Sequence, residues 1–260
     1  MDPGPLRDLL TLVLGVATGV LSALFGVGGA VVSTPGIRGL GATAIAAVGT
    51  TLPSIFPSAV SGTARYVREE LVDWRIVAYT APAGIAASVG GSLLSHAVPG
   101  DGHWLMIATA GLLAYTAWRM SHPAPVHELA VDRASTARPA QLAGIGAAAG
   151  GLSGLLGVGG GVVMVPAFAE LVRLPLKTAI ASSLLCVAAF AVPGTITHWA
   201  LGDIDWRFAI PLAIGVVPGA RLGAALAIRA DDVHLRRVVA IFLAVTSVIY
   251  GAGEVAALLK

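Results

Sequence analysis

Charged residues are scarce in this chain of 260 residues. They make up 12% of the sequence, whereas 56% of the residues are hydrophobic and the mean hydropathy is +0.85. Soluble domains carry about 25% charged residues, because their surface must face water. Apolar stretches recur along the whole length, so we expect an all-α, polytopic membrane protein.

Cysteine is nearly absent, since Cys186 is the only one in the sequence. A single cysteine excludes an internal disulfide and a metal site made of several cysteines, and we expect neither a metal nor a cofactor. The net charge of +2 is small and the arginines lie between apolar segments. Nucleic-acid binding needs a basic face, so we expect no nucleic-acid partner.

Catalytic signatures are missing from the sequence as well. It contains neither H-E-x-x-H nor G-x-S-x-G, and it has no pair of carboxylates inside an apolar segment. We therefore expect no enzyme and assign no catalytic residue. The start, MDPGPLRDLL, has acids but no basic region, and we interpret the first segment as a retained helix rather than a signal peptide.

The sequence does contain eight apolar segments in two groups of four. A polar, proline-bearing stretch, 121–139, separates them and is interpreted as a linker between an N-terminal transmembrane repeat, 1–120, and a C-terminal one, 140–260. Most segments have the roughly 20 residues that a membrane-spanning helix needs. The segments are 6–37, 43–64, 76–95, 104–118, 140–172, 178–200, 208–228 and 238–259.

The first segment of each group is too long for one spanning helix and too short for two. A glycine cluster interrupts both segments: FGVGGAVVSTP at 25–35 and LGVGGGVVMVP at 156–166. Glycine permits irregular backbone and close approach of neighbouring chains. We expect a discontinuous helix in each group, with a long arm, a break at 26–29 or 157–161, and a short second arm.

The two glycine clusters belong to a longer internal repeat. At a spacing of 131 residues Ser22 matches Ser153, and at 132 the block V-D-W-R at 72–75 aligns with I-D-W-R at 204–207. Several blocks recur in the same order, which indicates a tandem duplication. Duplicated halves with broken helices at matching places are typical of secondary transporters, where the breaks meet at one site between the repeats.

The short arm after each break begins with free backbone N–H groups and the positive end of a helix dipole, which favours an anion. We expect a small anionic substrate, bound by the breaks and by hydroxyls at matched positions of the second segments. Close helix packing is the alternative role of the glycines, and a bond to the preceding helical turn is the alternative for the hydroxyls. The candidates are Gly28, Gly29, Ala30, Gly159, Gly160, Gly161, Thr50, Thr51, Ser182 and Ser183.

Three ionisable residues lie in or near the apolar segments. Arg221 lies well inside a segment by count, which makes it a candidate substrate ligand, with snorkelling or carboxylate pairing as the alternative. Arg65 and His198 lie near the ends of matched segments. They are candidates for gating or proton coupling, with an interfacial position as the alternative. A nucleotide site is disfavoured, because neither glycine cluster is followed by Gly-Lys-Ser/Thr.

The double motif FGVGGAVVSTP and LGVGGGVVMVP resembles the TauE/SafE family of membrane proteins, the probable sulfite exporter family. The paired D-W-R blocks and PGARLG at 218–223 look like further family positions. The resemblance implies transport, mainly export, of small anions that contain sulfur, such as sulfite, thiosulfate, sulfoacetate and other organosulfonates. Ala30 stands where the second motif has Gly161, so we expect half-sites of different shape.

We therefore predict an integral protein of a prokaryotic inner membrane that works by alternating access. Proton or sodium coupling and a homodimer are left open. The alternatives are a passive pore for small anions or neutral solutes and a non-transporting scaffold or receptor. Two topologies are also open: eight plain spans with parallel repeats, or re-entrant broken segments with three crossings per half and inverted repeats.

Overall fold

The computed structural model describes residues 4–95, 103–122, 137–157 and 159–258, and every regular element in these ranges is helical. A π-helical turn, Ala167–Leu171, follows α7. The predicted linker at 121–139 lies mostly outside the described residues. The helices are α1 Pro5–Phe25, α2 Ala30–Gly39, α3 Ala44–Arg68, α4 Trp74–Ser95, α5 His103–Ser121, α6 Pro139–Leu156, α7 Gly161–Pro166, α8 Leu176–Leu201, α9 Trp206–Arg229 and α10 Asp232–Leu258.

The outer surface of the helices is apolar. Ile214, Leu222 and Val248 are exposed by 60%, 58% and 70%. Such a surface is unfavourable in water and is solvated by lipid. Among the described residues six helices are long and apolar enough to cross a membrane, which makes this an integral membrane protein. They are Pro5–Phe25, Ile45–Arg68, Trp74–Ser95, Leu176–Leu201, Trp206–Arg229 and Asp232–Gly253.

Helix α1 packs along α9, which comes from the other half of the sequence. A Cβ on Gly15 would lie 3.1 Å from the Cα of Gly215, and a Cβ on Gly19 would lie 2.8 Å from the backbone N of Ala220. Residue numbers rise together along the contact, so the two helices are parallel. Small residues at a four-residue spacing permit this close approach of the two helices.

Helix α6 packs along α4 through a second row of glycines. A Cβ on Gly150 would lie 2.5 Å from the Cα of Gly84, and one on Gly154 would lie 2.7 Å from the backbone N of Ser92. This pair is parallel as well. The first helix of each predicted half therefore packs on the third long helix of the other half, and the halves interlock rather than lie side by side.

The chain reverses direction after α1. Gly29, at the start of α2, lies beside Ser22, because a Cβ there would be 3.2 Å from the Cβ of Ser22. Gly36, near the end of α2, lies against Leu14, with its Cβ position 2.7 Å from Leu14 Cδ1. Helix α2 therefore runs back along α1, and the two helices form a hairpin.

The described residues with positive φ form five matched pairs. The members of each pair are 131 or 132 residues apart in the sequence. Non-glycine residues adopt the left-handed region at a cost of about 1–2 kcal/mol. Positive φ angles are therefore rare, and their positions can be used to compare the backbone paths of two segments. The two halves thus follow similar paths at these points. The pairs are Gly26 and Gly157, Gly28 and Gly159, Gly29 and Gly160, Gly41 and Arg173, and Glu70 and Gly202.

Two glycines of α6 allow a direct test of this packing. A Cβ on Gly146 would overlap the backbone O of Thr80, whereas a Cβ on Gly144 has no neighbouring atom within 4 Å. We expect Gly146→Ala to lower the free energy of unfolding by about 1–3 kcal/mol through overpacking. Gly144→Ala is the matched control and should cause no loss, because alanine favours helix. Thermal unfolding of detergent-purified protein measures both, and equal melting temperatures would contradict the α4–α6 contact.

Candidate functional site

The two breaks begin with the same turn. Gly26 closes α1 with φ 70° and ψ 17°, and its N–H donates to the backbone O of Ser22 at 2.8 Å. Gly157 closes α6 with φ 66° and ψ 19°, and its N–H donates to the backbone O of Ser153 at 2.8 Å. Glycine adopts this conformation without a Cβ penalty. The glycine clusters are therefore required by the backbone of the breaks.

The two breaks touch each other inside the protein. A Cβ on Gly28 would lie 3.3 Å from the Cα of Gly159, and a Cβ on Gly159 would lie 3.0 Å from the O of Val27. A Cβ on Gly161 would overlap the O of Gly26. All five residues are buried. In this conformation backbone packs directly on backbone, with no space for a side chain between the two breaks. We call this contact between residues 26–28 and residues 159–161 the crossing.

Two of the predicted hydroxyls bind the D-W-R block of the opposite half. Thr50 Oγ1 accepts the N–H of Asp205 at 2.9 Å, and Ser182 Oγ accepts the N–H of Asp73 at 3.0 Å. Both hydroxyl residues are fully buried. The matched positions thus form matched contacts that attach each half to the other.

The other two predicted hydroxyls lie closer to the first break. Ser183 donates to the O of Gly26 at 2.8 Å, so it binds the break itself. Thr51 donates to the O of Val48 at 3.0 Å, and its oxygen is 3.3 Å from that of Thr34 in α2. The structure therefore brings Ser183 to the crossing and Thr51 to the short helix that follows it.

Known proteins are similar in sequence to this chain over most of its length. The family model described as "Sulfite exporter TauE/SafE" matches residues 11–250. The chain belongs to the TauE/SafE family. No solved structure matches it.

Relatives of this TauE/SafE protein occur in bacteria and archaea. The chain is 26% identical over 239 residues to "Probable membrane transporter protein YunE" of Bacillus subtilis, covering 84% of this chain and 88% of that one. It is 28% identical over 232 residues to a probable membrane transporter protein of Xylella fastidiosa, covering 85% of each. A relative from Methanocaldococcus jannaschii is 25% identical over 246 residues, with 87% and 89% covered.

The structure does not bring the predicted arginines to the crossing. Arg221 and Arg65 are both exposed. Helix α9 turns Gly219 and Gly223 towards α1, so the side chain of Arg221 lies on another face of the helix. Counting residues along a segment gives the depth of a side chain but not its rotation about the helix axis. A substrate role of Arg221 and a gating role of Arg65 stay predictions.

His198 is buried beside an acid that sequence reasoning missed. Its Nδ1 lies 2.7 Å from Oδ2 of Asp203, and the two side chains are 0% and 8% exposed. The counterparts of this pair in the first half of the TauE/SafE chain are Tyr66 and Leu71. Tyr66 donates to the backbone O of Ala23 at 2.7 Å. The ionisable pair is therefore particular to the second half.

Seven buried hydroxyls without a hydrogen-bond partner among the described residues were not predicted: Thr18, Ser22, Ser58, Thr63, Thr80, Ser92 and Thr195. A Cβ on Gly29 would lie 2.9 Å from Cγ2 of Thr18 and 3.4 Å from Oγ of Ser22, so both side chains adjoin the first break. The hydroxyls of Thr18, Ser22 and Ser58 are buried and have no hydrogen-bond partner among the described residues. An unpaired buried hydroxyl costs about 1–3 kcal/mol. The four-residue spacing of Thr18 and Ser22 ahead of the glycine cluster was the available signal.

Metal ligands do not converge in the part of the chain that the structure describes. No group of three His, Cys, Asp or Glu residues there could hold a metal ion. The single Cys186 is fully buried. The chemistry of the crossing therefore consists of backbone amides, carbonyl groups and hydroxyls.

Gly28 gives a test of the crossing. It has φ 88°, and a Cβ on it would lie 2.7 Å from Cγ1 of Val187. We expect Gly28→Ala to lower the free energy of unfolding by about 2–4 kcal/mol, through backbone strain and overpacking. Gly39→Ala in α2 is the control, because its Cβ position has no neighbour within 4 Å. The measurement is thermal unfolding in detergent. A Gly28→Ala protein as stable as the control would refute the contact between the breaks.

Proposed function

We propose that this TauE/SafE protein is a secondary transporter that exports a small anion by alternating access. The contact between the two breaks at Gly28 and Gly159 carries the proposal. An unpaired N–H or C=O group costs several kcal/mol in hydrocarbon, so a broken helix persists in a membrane only where protein or a cavity surrounds the break. Secondary transporters place their substrate site at paired breaks of this kind.

The start of α2 favours an anionic substrate. Gly29 is the N-cap of this ten-residue helix, and the first-turn N–H groups of Ala30 and Val31 have no acceptor within the helix. The helix dipole adds about half a positive charge at this end. The family description names sulfite. We therefore propose a sulfur-containing anion, such as sulfite, thiosulfate or an organosulfonate, as the substrate.

The direction of the matched helices α3 and α8 favours inverted repeats. Thr50, near the start of α3, binds Asp205, which follows the end of α8. Ser182, near the start of α8, binds Asp73, which follows the end of α3. The two helices are therefore antiparallel, although they occupy the same place in the two repeats. Parallel repeats with eight plain spans would need them to be parallel.

The glycine contacts suggest which parts move. Helices α1 and α9 pack backbone to backbone, and so do α4 and α6. Each pair takes one helix from each half and is expected to stay together. We propose that the α1–α9 unit rocks against the α4–α6 unit, which shifts one break past the other and opens the crossing to one face at a time.

Export against a gradient needs a coupled ion, and proton and sodium remain the two candidates. If the coupled ion is a proton, the buried pair of His198 and Asp203 is the candidate group to bind it.

Binding of the substrate should be visible as thermal stabilisation of the detergent-purified protein. A ligand at a hundred times its dissociation constant adds about 2.7 kcal/mol to the folded state. The panel is sulfite, sulfate, thiosulfate, sulfoacetate, taurine, acetate and chloride. We expect a selective rise of the melting temperature with a sulfur oxyanion or a sulfonate, and accumulation of that anion against its gradient in proteoliposomes. Flux without accumulation would indicate a pore, and binding without flux a receptor.

Single cysteines test the topology, because Cys186 is fully buried and gives no background. Gly39→Cys lies at the end of α2, and Arg173→Cys lies in the matching connection before α8; both positions are exposed. With inverted repeats, a membrane-impermeant maleimide should label them from opposite faces of the membrane. Labelling of both from one face, in right-side-out and inside-out vesicles, would support parallel repeats instead.

A further inference from the structure

The two breaks share a backbone path but not a lining. Thr18 and Ser22 adjoin Gly29 at the first break, whereas Ala149 adjoins Gly160 at the second, where a Cβ would lie 2.8 Å from its backbone O. Ala149 is the residue 131 positions after Thr18. Thr18 at the first break thus corresponds to an alanine at the second, whereas Ser22 corresponds to Ser153.

Ser58, another of the unpaired hydroxyls, also has an apolar counterpart. Its counterpart 132 residues later is Phe190. Phe190 lies at the second break, because its Cδ2 is 3.3 Å from the Cβ position of Gly160. From the matched backbone path we infer that Ser58 lies on the side of α3 that faces the first break. The first break adjoins Thr18 and Ser22, whereas the second is in contact with an aromatic ring.

The face of α3 on which Ser58 lies supports this placement independently. Thr51 and Gly62 flank Ser58 at helical spacing on the same face. Thr51 contacts Thr34 of α2, and a Cβ on Gly62 would lie 2.9 Å from the Cβ of Ala23 in α1. Along α3, Ser58 therefore lies between the residue that contacts α2 and the residue that contacts α1, the two helices that the first break connects.

We propose that the substrate anion binds at the first break only, to the hydroxyls of Thr18, Ser22 and Ser58 and to the first-turn amides of α2. This inference rests on the proposed transport of an anion and assigns its site. Each hydroxyl is buried and lacks a partner among the described residues, so its proton is available to a ligand. The amides of Ala30 and Val31 lie at the positive end of the helix.

The chemistry of this site selects a small oxyanion. Hydroxyls and amides donate to several oxygens of one tetrahedral or pyramidal group, and bonds to a charged acceptor are about twice as strong as neutral ones. The second break lacks a comparable set, because α7 has six residues and Phe190 covers Gly160. Its role is to close the site from the other side, as an apolar surface that the anion does not enter.

Serine-to-alanine variants test the site in the full-length, detergent-purified protein. Ser22→Ala and Ser58→Ala remove one donor each, and Ser153→Ala is the matched control at the second break. Calorimetry with sulfite, thiosulfate and sulfoacetate gives the dissociation constants, and dimethyl sulfone serves as a neutral tetrahedral probe. We expect the first two variants to weaken anion binding about tenfold or more, and Ser153→Ala to bind as the unmodified protein does.

The melting temperature without anion separates a binding role from a structural one. Removing an unpaired buried hydroxyl should leave it unchanged or raise it. A lower melting temperature in both variants would mean that these hydroxyls hold the fold, which would overturn the site. Equal weakening in Ser153→Ala would overturn the one-sided site.

The remaining outcomes distinguish this inference from the proposed function. Anion binding that survives in all three variants would place the site elsewhere, while anion transport itself would stand. If the unmodified protein binds and transports none of the anions, both the binding site and the proposed anion transport are refuted. Tight binding of dimethyl sulfone would mean that the site takes neutral solutes and would overturn its anionic class.

Discussion

A helix that breaks inside a bilayer leaves amide and carbonyl groups where no water can reach them. In this protein each break is buried against the other: the O of Gly26 accepts from Ser183, and Gly28 packs on Gly159. Such close packing requires residues without side chains, which explains why both halves carry glycine clusters. The hairpin of α1 and α2 follows from the same requirement, because the chain must turn back after reaching the crossing.

Glycine also determines how the halves combine. The rows on α1 and α9 and on α4 and α6 bring backbones from different halves into contact. A hydroxyl from each half then binds the amide that precedes the tryptophan of the other half's D-W-R block. In the described residues, helices from the two halves pack against each other. The predicted repeat is therefore a feature of the sequence, whereas the packing is built from helix pairs that take one helix from each half. In the proposed mechanism, a motion that opens the crossing is therefore expected to separate pairs of helices rather than halves.

The sequence predicted a membrane-embedded helical protein correctly. It did not determine the direction of α2, because a ten-residue arm can continue across the bilayer or turn back. The choice depends on long-range contacts such as Gly36 with Leu14. Searching for matched polar residues found Thr50 and Ser182, which attach one half to the other. It missed Thr18 and Ser58, because their counterparts are Ala149 and Phe190.

That difference has a physical reason. With the predicted duplication, the two halves form similar packing contacts, and a residue needed for packing is expected to recur at the matched position. Tyr66 and Leu71 show that the end of α3 is built without an ionisable pair, so the fold does not require the charge chemistry of His198 and Asp203 at the end of α8. Ser22 has a serine counterpart, Ser153, but the same reasoning applies to the hydroxyls of Thr18 and Ser58. They cost stability while unpaired, and Ala149 and Phe190 show that similar backbone is stable without them. Polar groups that one half has and the other lacks are therefore the groups to which function should be assigned.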